Sequence, residues 1–204
     1  RELQVVSSIT IRINYGPGEL VNPKFIPKKP IAPSFGALYR SFIFNYENVL
    51  NKTYNGKEDG HELMLCIMPD EFVASFEPYA EWKRKSGIDI HVTKFSDIGA
   101  NASNPAIIKN HILDAYQNWD VTPTYVLIVG DDGVFPTHTQ EYGFPNEDYF
   151  VELEGNDYFP ELFIGRLTNQ SAYGLQVLIN KFIKYEKTPW TANTDWFKKG
   201  ICCS

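Results

Sequence analysis

Oxygen donors gather at two places in this sequence. Gly130-Asp131-Asp132-Gly133 directly follows an apolar run, and Glu154-Gly155-Asn156-Asp157-Tyr158-Phe159-Pro160-Glu161 lies further along. Calcium takes about six to eight oxygens at ~2.4 Å from carboxylates, carbonyls and water. The carboxylates of Asp131, Asp157 and Glu161, with the main-chain carbonyls of Glu154 and Phe159, would supply most of such a shell. The same residues also read as a solvated acidic turn, and spacing alone favours that plainer reading.

Nucleophilic catalysis needs a thiol or hydroxyl beside a base. Cys66 sits in a continuous apolar run, which reads as a buried small hydrophobe. Cys202 and Cys203 alternate faces of an expected strand and read as structural. His61, His91, His111 and His138 have no thiol or carboxylate at a spacing that implies a dyad. Glu147 and Asp148 offer paired carboxylates, or simply the exposed start of a strand. Trp82-Lys83-Arg84-Lys85 reads as a solvated helix end that suits the helix dipole. The segment 130–133 lacks the glycine spacing of a phosphate loop.

These residues need elements to hold them. Leu63–Met68 is a short apolar run ended by Pro69 and reads as a buried strand, Ile88–Phe95 reads as the next strand, and Tyr125–Val129 is an apolar strand stopped by Gly130. Between the first two, Asp70 is placed to cap a helix carrying Phe72, Phe76 and Tyr79, which Gly87 ends. Between the second and third, Asn104-Pro105 starts a helix with Ile108, Ile112, Ala115 and Trp119 on one face. Strand, helix, strand, helix, strand predicts a parallel sheet with right-handed crossovers. Residues 147–165 read as two short strands in an antiparallel excursion. Leu175 to Tyr185 define a further helix closed before Pro189, and Lys199–Cys203 begins a last strand. Upstream, residues 4–15 alternate as a half-buried strand, 17–33 form a proline-rich arm, and 36–50 have a helical stripe. The polar stretch 51–60 marks a boundary.

The 204 residues are 43% hydrophobic and carry a net charge of −6. A chain of this length buries a core without staples. The acidic balance argues against nucleic acid, whose recognition needs a basic face. No run approaches the ~20 apolar residues of a membrane span. Three cysteines, two of them adjacent, are no disulfide framework. Asn51-Lys52-Thr53, Asn101-Ala102-Ser103 and Asn169-Gln170-Ser171 match the glycosylation triplet, which arises often by chance. The opening on Arg1, with no signal-peptide pattern, reads as a trimmed product.

Four blocks in order carry a resemblance: Tyr125-Val-Leu-Ile-Val-Gly-Asp131, Gly155-Asn-Asp157, Glu161-Leu-Phe-Ile-Gly-Arg166 and Tyr185-Glu186. With Trp82 to Gly87 and Trp196 to Ser204, they resemble the catalytic domain of gingipain-like cysteine peptidases, family C25, over residues 61–204. The resemblance implies a caspase-like α/β fold of two subdomains. The first has a parallel sheet flanked by helices and is braced by calcium; the second carries a Cys–His dyad. By position, one calcium site falls on Asp131, Glu154, Asp157, Phe159 and Glu161. The family commonly has a Ser-Asp pair before the Gly-x-Asp block, where this chain has Asn146-Glu147-Asp148. The family's His-Gly and catalytic Cys have no match here and lie beyond residue 204. The resemblance further implies residues 1–60 as the end of a pro-region or linker arm. It makes 61–204 the first subdomain of a secreted or cell-surface enzyme acting on protein or peptide substrates. The C-terminal remainder of the same protein is the implied partner. The alternatives are a non-catalytic relative acting in protein sorting or binding, and a flavodoxin-like ligand-binding domain.

Overall fold

Alternate residues of one strand feed two cores. The computed structural model describes residues 10–12, 16, 31–48, 61–139 and 143–200. Strand β1, Leu63–Met68, is central and buried toward its carboxyl end. Leu65 and Ile67 point to one face, Cys66 and Met68 to the other, as strand geometry requires. Strands β2 (Asp89–Lys94), β3 (Tyr125–Val129) and β4 (Phe163–Leu167) complete a four-stranded sheet in the order β2-β1-β3-β4. Every pairing is parallel.

Helix α1 is Pro33–Phe42, α2 Val73–Lys85, α3 Pro105–Asn118 and α4 Ala172–Lys187. Helix α3 lays Ile108, Ile112 and Ala115 on Leu65, Ile67, Val126 and Ile128. Helices α2 and α4 cover the other face, where Phe76, Tyr79, Leu175 and Ile179 meet Cys66, Met68, Val129 and Leu167. A parallel sheet needs both faces covered, and its apolar runs show why these strands lie inside.

The expected caps hold at Asn104, whose Oδ1 accepts the Ala106 N–H, and at Gly87, with φ +89°. Asp70 does otherwise. A single 3₁₀ turn, Asp70–Phe72, precedes α2, and its N-cap makes no side-chain bond. The Asp70 carboxylate instead accepts both the N–H and the hydroxyl of Ser96, across the sheet edge.

Two strand expectations are corrected. The segment 147–165 is no antiparallel excursion. Asp148–Phe150 is a 3₁₀ turn that buries Phe150 and Val151. Phe163–Leu167 then joins the main sheet, with Tyr125 opposite Phe163 and Val129 opposite Leu167. A short apolar run behind a glycine turn suits a hairpin or a returning crossover equally; long-range pairing decides. Of the expected last strand, 199–200 hold no regular structure and follow a 3₁₀ turn, Asp195–Lys198. Cys202 and Cys203 lie outside the described residues, as do most of the expected strand 4–15 and proline-rich arm. The helix expected at 36–50 begins at Pro33, since proline suits the first turn. It ends where Ile43 turns extended.

Candidate functional site

The carboxyl edge of the sheet is held by Arg166. Its Nε and Nη2 reach Glu147 Oε1 and Oε2 at 2.7 and 3.0 Å. Its Nη1 donates to the Gly130 carbonyl at 2.8 Å. The guanidinium also lies 5.2 Å from the Phe135 ring centroid. Gly130 is required here: φ is +136°, and a Cβ would fall 2.9 Å from Phe135 Cβ. Glu147 is therefore spent on an ion pair and is not free for acid–base work with Asp148. Asp131 stands on the same edge. Its N–H donates to the Asn169 carbonyl at 2.9 Å, and its carboxylate accepts from Asp132 N–H and Gln170 Nε2.

The other four expected calcium ligands lie elsewhere. The Glu161 N–H donates to Val151 O, and Glu161 Oε2 accepts the Leu153 and Glu154 N–H groups at 2.7 and 3.0 Å. Asp157 Oδ1 accepts the Phe159 N–H at 2.9 Å. Gly155 has φ +78°, and a Cβ there would meet Asp157 Oδ2 at 3.5 Å. Glu161 precedes the first residue of β4, whereas Asp131 follows the last residue of β3. At about 3.3 Å per residue, the two stand on the order of 20 Å apart, at opposite ends of parallel strands. Asp131 thus drops out of any single shell with Glu154, Asp157, Phe159 and Glu161. Sequence proximity to a strand end placed it correctly; the direction of the returning strand, which decides which edge the loop serves, was not readable.

The loop residues fit a hard cation in donor chemistry: two carboxylates and two main-chain carbonyls, all oxygen. Among the described residues, no three acidic, histidine or cysteine side chains converge as a metal cluster, so carbonyls and water would fill such a shell. Tyr116, which the sequence reading passed over, belongs to this end. Burial, then the charges of Glu154 and Glu161, push its phenol well above the usual range, and its hydroxyl bonds Glu154.

No thiol–imidazole pair forms among the described residues. Cys66 is fully buried, and burial drives its thiol far above the ordinary value. His111 Nε2 is 3.0 Å from the buried Thr93 hydroxyl. His91 and His111 flank Trp119, at 4.5 and 5.8 Å between centroids. His138 stacks flat on Tyr149 at 3.7 Å. The Trp82 helix end is not simply solvated: Trp82 Nε1 and Lys83 Nζ both grip Glu186 of α4.

Comparison with known proteins matches this arrangement. The model of peptidase family C25 covers residues 57–204. Gingipain R2 of Porphyromonas gingivalis is 26% identical over 202 residues, 99% of this chain and 27% of that protein. A Lys-gingipain of the same species is 25% identical over 192 residues, 91% of this chain and 11% of that protein. The chain thus spans about a quarter or less of these relatives' length. The crystal structure of the Arg-specific cysteine proteinase gingipain R superposes with a TM-score of 0.57 and 26% identity, covering 63% of this chain and 29% of that one. A complex of gingipain pro- and mature domains, also from Porphyromonas gingivalis, gives 0.55 and 28%, covering 60% and 28%. The four-stranded parallel sheet with helices on both faces is the α/β, caspase-like arrangement expected, and with the family model matched over well more than half its residues the chain belongs to peptidase family C25.

Proposed function

We propose that the complete protein is a secreted or cell-surface cysteine endopeptidase, and that these residues form its supporting wall. The observation that carries this is the family match combined with a sealed Cys66. A buried, protonated thiol cannot attack a peptide carbonyl, which removes Cys66; that the nucleophile and its histidine belong beyond residue 204 rests on the resemblance to gingipain-like peptidases. There a thiolate would attack the scissile carbonyl, expel the amine and leave a thioester for water to hydrolyse. Residues 61–204 are then the first subdomain, and 1–60 the end of a pro-region or linker. Protein or peptide chains are the substrates, and the C-terminal remainder is the partner. Among the described residues no helix is long and apolar enough to cross a membrane.

The reading is tested on the full-length gene product with an affinity-tagged, thiol-directed peptidyl inhibitor. Covalent labelling of a cysteine beyond Ser204 is expected. A full-length protein with no His-Gly and no strand-terminal Cys there would instead be a non-catalytic relative acting in sorting or binding.

A calcium ion belongs to this proposal, held by the Asp157 and Glu161 carboxylates and the Glu154 and Phe159 carbonyls, without Asp131. When bound, it would supply structural bracing. Glu161 already holds the loop's entry through Leu153 and Glu154 N–H, and Asp157 closes the turn over Gly155. Ligand at a hundredfold its dissociation constant stabilises by about 2.7 kcal/mol. Chelation is therefore expected to lower the unfolding midpoint by several degrees, and Asp157→Ala to abolish that response. An unchanged midpoint in both removes the ion from the reading.

A further inference from the structure

Helix α4 turns one side to the sheet and the other to solvent. Leu175 and Ile179 are buried, with Leu178 and Ile183 packed beside them. At 3.6 residues per turn, Tyr173, Val177, Lys181 and Tyr185, each four residues after the last, run along the opposite side. Lys184 and Lys187 flank that stripe. All six are exposed, Tyr173 by 77% and Tyr185 by 59%. The stripe holds no carboxylate. Glu186, the one acid of the helix, is turned to Trp82 and Lys83 of α2 instead.

The same surface continues past the helix. Tyr185 meets Trp196 at 5.6 Å, and Phe197 stacks on Trp196 at 4.1 Å. The Trp196 indole N–H donates to the Trp190 carbonyl at 3.0 Å. Trp190 and Phe197 are thereby held at this end, 63% and 51% exposed. Lys198 and Lys199 follow, both exposed. Residues 181–199 thus carry five lysines against Glu186 and Asp195, in a chain whose net charge is −6. A contiguous set of exposed aromatics marks a contact surface, and the local positive charge calls for an anionic partner.

The mixing of the two residue types selects the partner. Lysine is depleted from the core of a protein–protein interface and left to its rim. Here lysines alternate with apolar residues through the middle of the stripe. The headgroup region of an anionic bilayer accommodates that mixture. Tyrosine and tryptophan rings sit at headgroup level. Lysine stems lie along apolar surface while their ammonium groups reach the phosphates. We propose that the outer face of α4, with Trp190, Phe197, Lys198 and Lys199 beyond it, seats the protein on an anionic lipid surface. The contact lies on the surface without spanning it, and it is independent of whether the downstream chain carries a dyad.

The test is flotation of the full-length gene product with vesicles of phosphatidylcholine containing phosphatidylglycerol, and with vesicles of phosphatidylcholine alone. Binding to the anionic vesicles only, weakening as salt is raised, is expected. Lys181→Gln/Lys184→Gln is expected to weaken it about thirtyfold, the size of the contribution of two lysines at such a surface. Lys181→Arg/Lys184→Arg is expected to bind as the native protein does. Tyr173→Ser is expected to weaken binding while leaving the unfolding midpoint unchanged, because the position is exposed. A protein that floats with neither vesicle, that floats with both alike, or whose binding survives Lys181→Gln/Lys184→Gln overturns the proposal. So does capture by immobilised poly-glutamate in place of anionic vesicles, which would assign the face to an acidic polypeptide.

Discussion

Arg166 ties three groups with one guanidinium: Glu147, the Gly130 carbonyl and the Phe135 ring. Hydrogen bonds to charged groups contribute roughly 1.5–3 kcal/mol each when desolvated, and Arg166 is mostly buried while Glu147 is about one-third exposed. Arg166→Met is therefore expected to cost roughly 2–4 kcal/mol in urea unfolding. Arg166→Lys should recover only part, because an ammonium cannot make the fork; full recovery would show that charge alone matters. The pairing of Arg166 with Glu147 was not legible in the sequence, because the two meet only after the chain has crossed from β3 to β4. The histidines give a pH signature. Burial lowers His91 and lowers His111, the latter helped by the charge of His91 and opposed by Asp114 and Asp97. Groups held neutral in the fold make the unfolded chain bind more protons. Stability is thus unaffected above the ordinary imidazole value of 6.5 and falls as pH drops below it toward the folded values. Asp70, lowered chiefly by its bonds to Ser96, adds a separate loss below its ordinary 3.8. Denaturation series from pH 8 to 5 should slope downward in the native chain and flatten in His91→Gln/His111→Gln.

At the element scale, the α2–α4 pairing is set by one carboxylate. Glu186 accepts Trp82 Nε1 at 2.7 Å and Lys83 Nζ at 2.8 and 2.9 Å, and Phe182 tilts against Tyr79 beside it. Desolvation pulls Lys83 down, yet its bonds and charge contacts with Glu186 and Tyr79 carry it above an ordinary lysine. Glu186→Gln keeps one acceptor for Trp82 and loses the ion pair. It is expected to cost roughly 1 kcal/mol, given partial exposure, and a double-mutant cycle with Lys83→Met isolates the pair; a coupling near zero would assign the contact to packing alone. Strands β1 and β3 were legible because buried parallel strands are continuous apolar runs with clear breakers, and the edge strand β2 because Ile90 and Val92 alternate with polar residues. Strand β4 was placed in an antiparallel excursion because a short run behind a glycine turn suits a hairpin as well as a returning crossover, and only its long-range pairing with β3 decides between them. The Trp82 helix end looked solvated because two lysines and an arginine dominate its composition, while the carboxylate that collects Trp82 and Lys83 lies on another helix.

At the scale of the whole molecule, the sheet has two working ends. The carboxyl end is fixed by Arg166, Asp131 and Gln170; the amino end collects α1, Glu62, Tyr116 and the loop from Glu154 to Glu161. Strand and helix order predicted the parallel sheet, since alternation leaves few alternatives. It did not say which end the acidic loop would serve, because that depends on how far residues 130–162 travel before β4 begins. Cys66 gives this architecture a further use. It lies where the central strand meets α2 and α4, sealed from solvent and held protonated. A sulfur so placed meets an alkylating reagent only when the helices have left the sheet. Its modification rate, followed by peptide mass separately from Cys202 and Cys203, is a chemical clock for opening of the whole core. In the intact chain that clock should run at the rate of global unfolding. Arg166→Met should quicken it in step with its loss of stability, whereas Phe44→Ala, at a fully exposed position, should leave it unchanged.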